Sequence, residues 1–246
     1  MKVKHIIQDT LFFLFLLSLV AGALYLANEH RGAHKFGHGN SGIINTIPTD
    51  LFTLYSDKIS FYNRHSLSTV KVLSDSGTGS GFYVDDHYVV TNSHVVHNQP
   101  AVRVINADGY QGALVIHNNP SHDVALLYVG GDSQKPLLFG DSDLLEVGQE
   151  VRAIGAPYGF ELTYSIGMIT GLKRVVPLAP FYGLIQVDAN IAPGSSGSAL
   201  LDTDGKIVGL NFAAMNGSAS FGFAIPINMI RDEILQNIEL HKNPVE

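Results

Sequence analysis

The chain has 246 residues, with 22 acidic against 15 basic side chains for a formal charge of −7, and no cysteine. An acidic balance without a Lys/Arg cluster speaks against nucleic acid as a partner, because neutralising phosphates takes clustered cations. Lack of cysteine excludes disulfides, zinc–thiolate sites and a cysteine nucleophile. With 46% hydrophobic and only 15% charged residues the chain can bury a real core, and its length suits one large β domain or two small lobes.

In chain order, Lys2 and Lys4 precede an uncharged apolar run at 11–27 (LFFLFLLSLVAGALYLA). Its 17 residues are at the short end of the ~17–25 needed for a spanning helix. Two readings stay open: a signal peptide cut at Ala21-Gly22-Ala23, or an uncleaved anchor. The anchor is preferred because Leu24, Tyr25 and Leu26 carry the apolar run past that site. The lysines would hold the N-terminus in the cytoplasm and send the rest outside. Residues 28–50, rich in His, Gly, Asn and Ser, read as a flexible linker. His30, His34 and His38 have the spacing of metal ligands on one helix face, but the interleaved Gly32, Gly37 and Gly39 disfavour that helix. Residues 51–246 are expected to form the folded domain. It opens with a short amphipathic, aromatic segment at 51–62 (LFTLYSDKISFY), suited to packing on the domain or on a neighbouring subunit.

Short β-branched or aromatic runs follow at 70–73, 81–84, 88–91, 102–106, 113–116 and 124–129. They continue at 151–155, 165–170, 184–187, 198–201, 206–211 and 220–225. Turn pairs such as Asp108-Gly109, Asp204-Gly205 and Asn216-Gly217 separate them, so the pattern is all-β, barrels or a sandwich. Only the end reads as a helix, with Asn228 as N-cap and Ile230, Ile234 and Ile238 as its buried stripe.

Three segments carry chemistry. Pro193-Gly194-Ser195-Ser196-Gly197-Ser198 puts a serine in a tight glycine turn, where an exposed hydroxyl and nearby N–H donors can coexist. Thr91-Asn92-Ser93-His94 supplies an imidazole, and Ser121-His122-Asp123 a lone acid at the mouth of an apolar strand. Taken singly, each is more often an ordinary turn or core residue. Together, the order His94, Asp123, Ser196, with separations of 29 and 73, is the order of the chymotrypsin-type triad.

The motifs resemble the HtrA (Deg) family of trypsin-fold serine proteases, in order over about residues 66–230. GSGFYVDDHYVVTNSHVV (79–96) resembles its histidine motif and NNPSHDVALL (118–127) its aspartate motif. GDSDLLEVGQEVRAIGAPYGF (140–160), GMITGLKR (167–174), IQVDANIAPGSSGSALLDTDGKIVGLN (185–211) and FGFAIPINMI (221–230) follow suit. The resemblance implies two six-stranded β-barrels of the chymotrypsin/trypsin type, with the C-terminal helix, after the N-terminal transmembrane helix. It implies Ser196 as nucleophile, His94 as general base and Asp123 as the group orienting it. Backbone N–H groups of Gly194 and Ser196, joined by Ser195, would form the oxyanion hole. Ile191 would line the substrate pocket, with Leu210, Asn211 and Phe212 as another wall. No acid stands at the expected pocket base, so cleavage after small or medium aliphatic residues is implied. Ser195 and Ser198 depart from the family's usual G-N-S-G-G, and Ser198 adds a Cβ expected to reduce activity. Only 16 residues follow the last motif, too few for the family's PDZ domain. The expected protein is therefore a membrane-anchored, extracytoplasmic (or, if cleaved, secreted) endopeptidase acting on unfolded polypeptide in quality control or processing. It would need no metal or cofactor. A homotrimer, with 51–62 as candidate interface, is an open expectation. A catalytically silent binding or chaperone-like module on the same scaffold is the competing one.

Overall fold

Twelve strands form where apolar residues alternate with polar ones. The computed structural model describes residues 49–75, 77–106, 109–131, 134–176, 182–212 and 221–244. The apolar run at 11–27, the linker up to residue 48 and His30, His34 and His38 lie outside them. Among the described residues no helix is long and apolar enough to cross a membrane.

The first six strands are β1 (Thr69–Ser74), β2 (Gly77–Asp85), β3 (Tyr88–Thr91), β4 (Ala101–Asn106), β5 (Gly109–Asn119) and β6 (Val124–Val129). They close into a barrel in the order β1-β2-β3-β6-β5-β4. The second barrel, ordered β10-β11-β12-β9-β8-β7, uses β7 (Glu150–Gly155), β8 (Thr163–Val175), β9 (Tyr182–Val187), β10 (Ala199–Leu201), β11 (Ile207–Phe212) and β12 (Gly222–Pro226). Each corresponds to a strand expected from sequence, differing only at its ends. Closure leaves neither sheet an unpaired edge.

In β4 the alternation is plain: Val102 and Val104 are buried, Ala101 and Arg103 exposed. Val70, Val72, Tyr83, Val89 and Leu127 fill the first barrel, and Val151, Ile169, Ile185, Leu200 and Val208 the second. A third cluster takes residues from both barrels, among them Phe82, Val90, Leu126, Leu184, Leu201 and Ile225.

Two helices cover that third cluster. Contrary to the expectation that only the end is helical, residues Thr49–His65 form a helix, α1, which also absorbs the last two linker positions. Phe61 is its anchor. The ring is buried, stacks on Tyr164 at 5.9 Å and carries the Arg152 guanidinium 4.3 Å above it. A candidate interface residue is thus spent on the chain's own core, while Ile59 stays exposed. Phe61→Ala is expected to cost about 3–5 kcal/mol, read from the denaturant midpoint.

A single helical turn, α2 (Ser93–Val96), follows β3. The C-terminal helix, α3 (Ile227–Lys242), buries the expected stripe of Ile230, Ile234 and Ile238, together with Ile227. Its N-cap is Pro226 without a side-chain bond, not Asn228 as expected. Asn228 lies inside the first turn and is used sideways: its Nδ2 donates to Asp141 Oδ1 (2.7 Å), and its N–H to Ser142 Oγ (3.1 Å). Pro226 already fixes the entry backbone, so the side chain serves tertiary contact.

Glu233 ties α3 to the first barrel, accepting from His117 Nε2 (2.6 Å), Asn119 Nδ2 (2.7 Å) and His122 Nδ1 (2.8 Å). Burial pushes its pKa up, but hydrogen bonds from His122, His117 and Asn119 outweigh that and leave it lowered. A folded pKa below the unfolded value means stability that is complete above the ordinary Glu value of 4.5 and lost as pH falls through the lower one. The Tm gap between wild type and Glu233→Gln should therefore shrink as pH falls below that value.

Candidate active site

The imidazole and the acid meet first. His94 sits in α2, where Asn92 has turned the chain out of β3, and Asp123 stands at the mouth of β6. Asp123 Oδ2 lies 2.8 Å from His94 Nδ1, and Oδ1 accepts the His94 backbone N–H at 2.9 Å. One carboxylate thereby fixes both the ring and the backbone of the same residue. The Asp123 side chain is 7% exposed and that of His94 43%, so the pair is shielded on the acid side and open on the imidazole side. Asp123 has φ of 50°, a left-handed backbone that is costly for a residue with a Cβ. Asn92 Nδ2 holds it there by donating to the Asp123 carbonyl at 2.9 Å. The Phe212 ring packs edge-on against His94 at 5.7 Å.

Ser196 stands in the loop that enters β10. The turn before it closes on itself, with Ser195 N–H bonded to Ala192 O (2.8 Å) and Ser198 N–H to Ser195 O (3.0 Å). The first barrel grips the loop from the other side through Ser80. Its N–H donates to Ser196 O (2.8 Å), its hydroxyl to Gly194 O (2.7 Å), and that hydroxyl also accepts the Ala156 N–H (2.9 Å). Gly197 is where the two barrels touch. Its φ is +89°, and an added Cβ would overlap Ser80 O and Thr91 Oγ1. Both are fixed groups, so the nucleophile loop would have to move. Gly197→Ala is expected to lower kcat/KM at least about a hundredfold while leaving both barrels folded, as checked by circular dichroism beside kinetics.

His94, Ser196, Gly194, Pro193, Thr78 and His97 line one cavity of about 360 Å³. Tyr158 N–H donates to Pro193 O at 2.7 Å. A trans peptide points its C=O and N–H opposite ways, so this bond turns the Gly194 N–H away from Tyr158. Gly194 reaches that geometry with φ of +94°. The Ser195 N–H, expected to be a third donor, is occupied by Ala192 O.

Ser198 is fully buried, and its hydroxyl closes the same turn. Oγ donates to Ser195 O (2.7 Å) and accepts from Asn211 Nδ2 (3.0 Å), which also reaches Ala199 O (3.1 Å). The extra Cβ, expected to disturb the loop, is accommodated with a full set of partners. Asn211 thus braces the loop with its amide, and Leu210 belongs to the buried cluster shared by the barrels. Neither lines the cavity around Ser196. Ile191 is nearly buried and packs with Val187 and Ala224, and Phe212 meets the site through its ring against His94; neither lines that cavity either. Sequence reading missed Ser80 and Asn92, although the G-S-G of 79–81 had marked Ser80's neighbourhood.

An imidazole with Nδ1 bound to a carboxylate keeps Nε2 for proton traffic, and a serine hydroxyl in the same cavity is its natural partner. A family model described as a trypsin-like peptidase domain matches residues 79–210, more than half of the chain. The chain belongs to the trypsin-like peptidase family. This trypsin-like peptidase domain is 39% identical over 168 residues to a DegP-like periplasmic serine endoprotease of Chlamydia pneumoniae, covering 65% of this chain and 34% of that protein. It is 38% identical over 159 residues to the Halomonas elongata counterpart, covering 63% and 34%. The chain thus spans about a third of the length of these curated relatives. Among solved structures it is similar to the HtrA-type protease AlgW with tripeptide, at a TM-score of 0.69 and 29% identity, over 75% of this chain and 64% of that one.

Proposed function

We propose that this trypsin-like domain is a serine endopeptidase acting on unfolded or exposed polypeptide. The observation that carries the reading is the His94–Asp123 pair, bonded at 2.8 Å, opening into the cavity that Ser196 and Gly194 also line. In the proposed reaction His94 Nε2 takes the proton of Ser196 Oγ as that oxygen attacks the scissile carbonyl carbon. The resulting oxyanion is received by the Gly194 and Ser196 N–H groups. Collapse expels the amine, which leaves with the proton from His94, and the acyl group stays on Ser196 as an ester. Water, deprotonated by His94, hydrolyses the ester and restores the hydroxyl. Asp123 keeps Nδ1 protonated and offsets the charge the ring gains. Side chains and water supply every proton, so the sequence of steps needs no metal or cofactor.

The Phe212 ring beside His94 is an apolar surface next to the imidazole, and it supports cleavage after small or medium aliphatic residues. The periplasmic naming of the relatives and the apolar run at 11–27 support an extracytoplasmic domain on a membrane tether. A homotrimer is the proposed assembly, by likeness to the HtrA family.

Full-length protein in detergent micelles, given peptides that differ only at the residue before the scissile bond, tests the reading. Val, Ile and Ala are expected to be cut at least about tenfold faster than Lys, Arg or Asp. Preference for a basic residue would refute the pocket assignment. No cleavage of any peptide or of unfolded casein would favour the silent binding module.

A further inference from the structure

The grip on Glu233 lies outside the proposed chemistry, and no step uses it. Its carboxylate is only 19% exposed and accepts from three donors on another part of the chain: His117 Nε2 and Asn119 Nδ2, at the end of β5, and His122 Nδ1 in the turn that follows. The same turn is closed from inside. Asn119 Oδ1 accepts the N–H of Ser121 (2.9 Å) and of His122 (3.4 Å).

The next residue is Asp123. Its left-handed backbone persists only if the surroundings enforce it. Asn92 holds its carbonyl and His94 its carboxylate, but both partners belong to the site itself. The chain entering Asp123 is the turn at 119–122, which the β5–β6 ladder closes at Asn119 and Val124 and which α3 holds from outside through Glu233.

We propose that Glu233 is a positioning residue for Asp123: by gripping His117, Asn119 and His122 it locks the turn that presents the acid to His94, and so couples the C-terminal helix to the active site. This rests on the endopeptidase reading for its consequence, though not for its geometry. If the grip is released, the turn relaxes, the Asp123 carboxylate drifts from His94 Nδ1, and the imidazolium loses its stabilising charge. The hydrogen bond at Nδ1 is then weakened, and the ring is less well held for proton transfer at Nε2. The titratable groups facing Glu233 are His117 from β5 and His122 from the turn; on its own helix Arg231 pairs with Asp232.

The test follows the low-field His94 Nδ1–H proton by NMR in the full-length chain carrying Ser196→Ala, with Glu233→Gln, His122→Ala or Asp123→Asn added. Glu233→Gln and His122→Ala should each weaken or lose that resonance, as Asp123→Asn does. His122→Ala leaves the Glu233 charge in place, so an equal loss there excludes a long-range charge effect. On the Ser196 background kcat, referred to the folded fraction measured by circular dichroism, should fall at least about tenfold with KM within about twofold. If Glu233→Gln fails to fold, Glu233→Asp, too short to reach both imidazoles, gives the same readout. An unchanged His94 Nδ1–H resonance in both grip variants overturns the proposal. Wild type that resists a fluorophosphonate at Ser196 would instead sink the endopeptidase reading, with that resonance still reporting on Glu233.

Discussion

Ser196→Ala is expected to lower kcat/KM on unfolded casein by about 10⁶-fold, to the level of background hydrolysis. The acyl intermediate forms on the Ser196 oxygen, and the neighbouring serine hydroxyls of the loop and of β2 are committed elsewhere. Ser198, two residues on, has its Oγ committed to Ser195 O and Asn211. Ser195 turns its hydroxyl toward the Ala192 N–H at 3.4 Å. Ser80 bonds Gly194 and Ala156. The loop itself should be undisturbed, because Ser80 holds Ser196 by its carbonyl rather than its side chain. Stability should therefore stay within about 0.5 kcal/mol of wild type. Casein cleavage that survives the substitution would mean another nucleophile.

Asp123→Asn should be nearly as severe, about 10⁴-fold in kcat, for a different reason. The carboxylate accepts twice from His94, once from the backbone N–H and once at Nδ1. An amide has one acceptor and one donor. If its oxygen keeps the backbone N–H, its NH₂ faces Nδ1, favours a proton on Nε2, and leaves the imidazole unable to accept from Ser196. If it flips, the backbone N–H of His94 loses its partner in a half-buried place. Kinetics of wild type and variant across pH should show a deep loss near neutrality. Casein activity within about tenfold of wild type at pH 7 would remove Asp123 from the proposed relay.

The strands were legible because their evidence is local: each alternates or runs apolar between turn residues, and closure only adds the pairing. The stripe of Ile230, Ile234 and Ile238 was legible for the same reason at helical spacing. Helix α1 was not, since Phe61, the buried side chain among its described ones, has partners Arg152 and Tyr164 that lie about 90 to 100 residues away. Asn228 carried the right chemistry for a cap, but Pro226 had already set the helix entry. The three site residues stood out by residue type and order. Their supports did not: Ser80 meets Gly194 across 114 positions and Ala156 across 76, and Asn92 meets Asp123 across 31. Such side-chain-to-backbone bonds leave no periodicity. The commitment of the Ser195 N–H to Ala192 and the inward turn of Leu210 and Asn211 are likewise decided by loop geometry, which residue types do not encode.

The most direct test of the account is where the full-length folded protein is acylated. After exposure to a fluorophosphonate, intact mass should rise by one adduct per chain, and peptide mapping should find it on Ser196. Ser196→Ala should take no adduct and Asp123→Asn should take it far more slowly. A folded wild type left unlabelled where another trypsin-like peptidase reacts fully, or an adduct on any other residue, would contradict it.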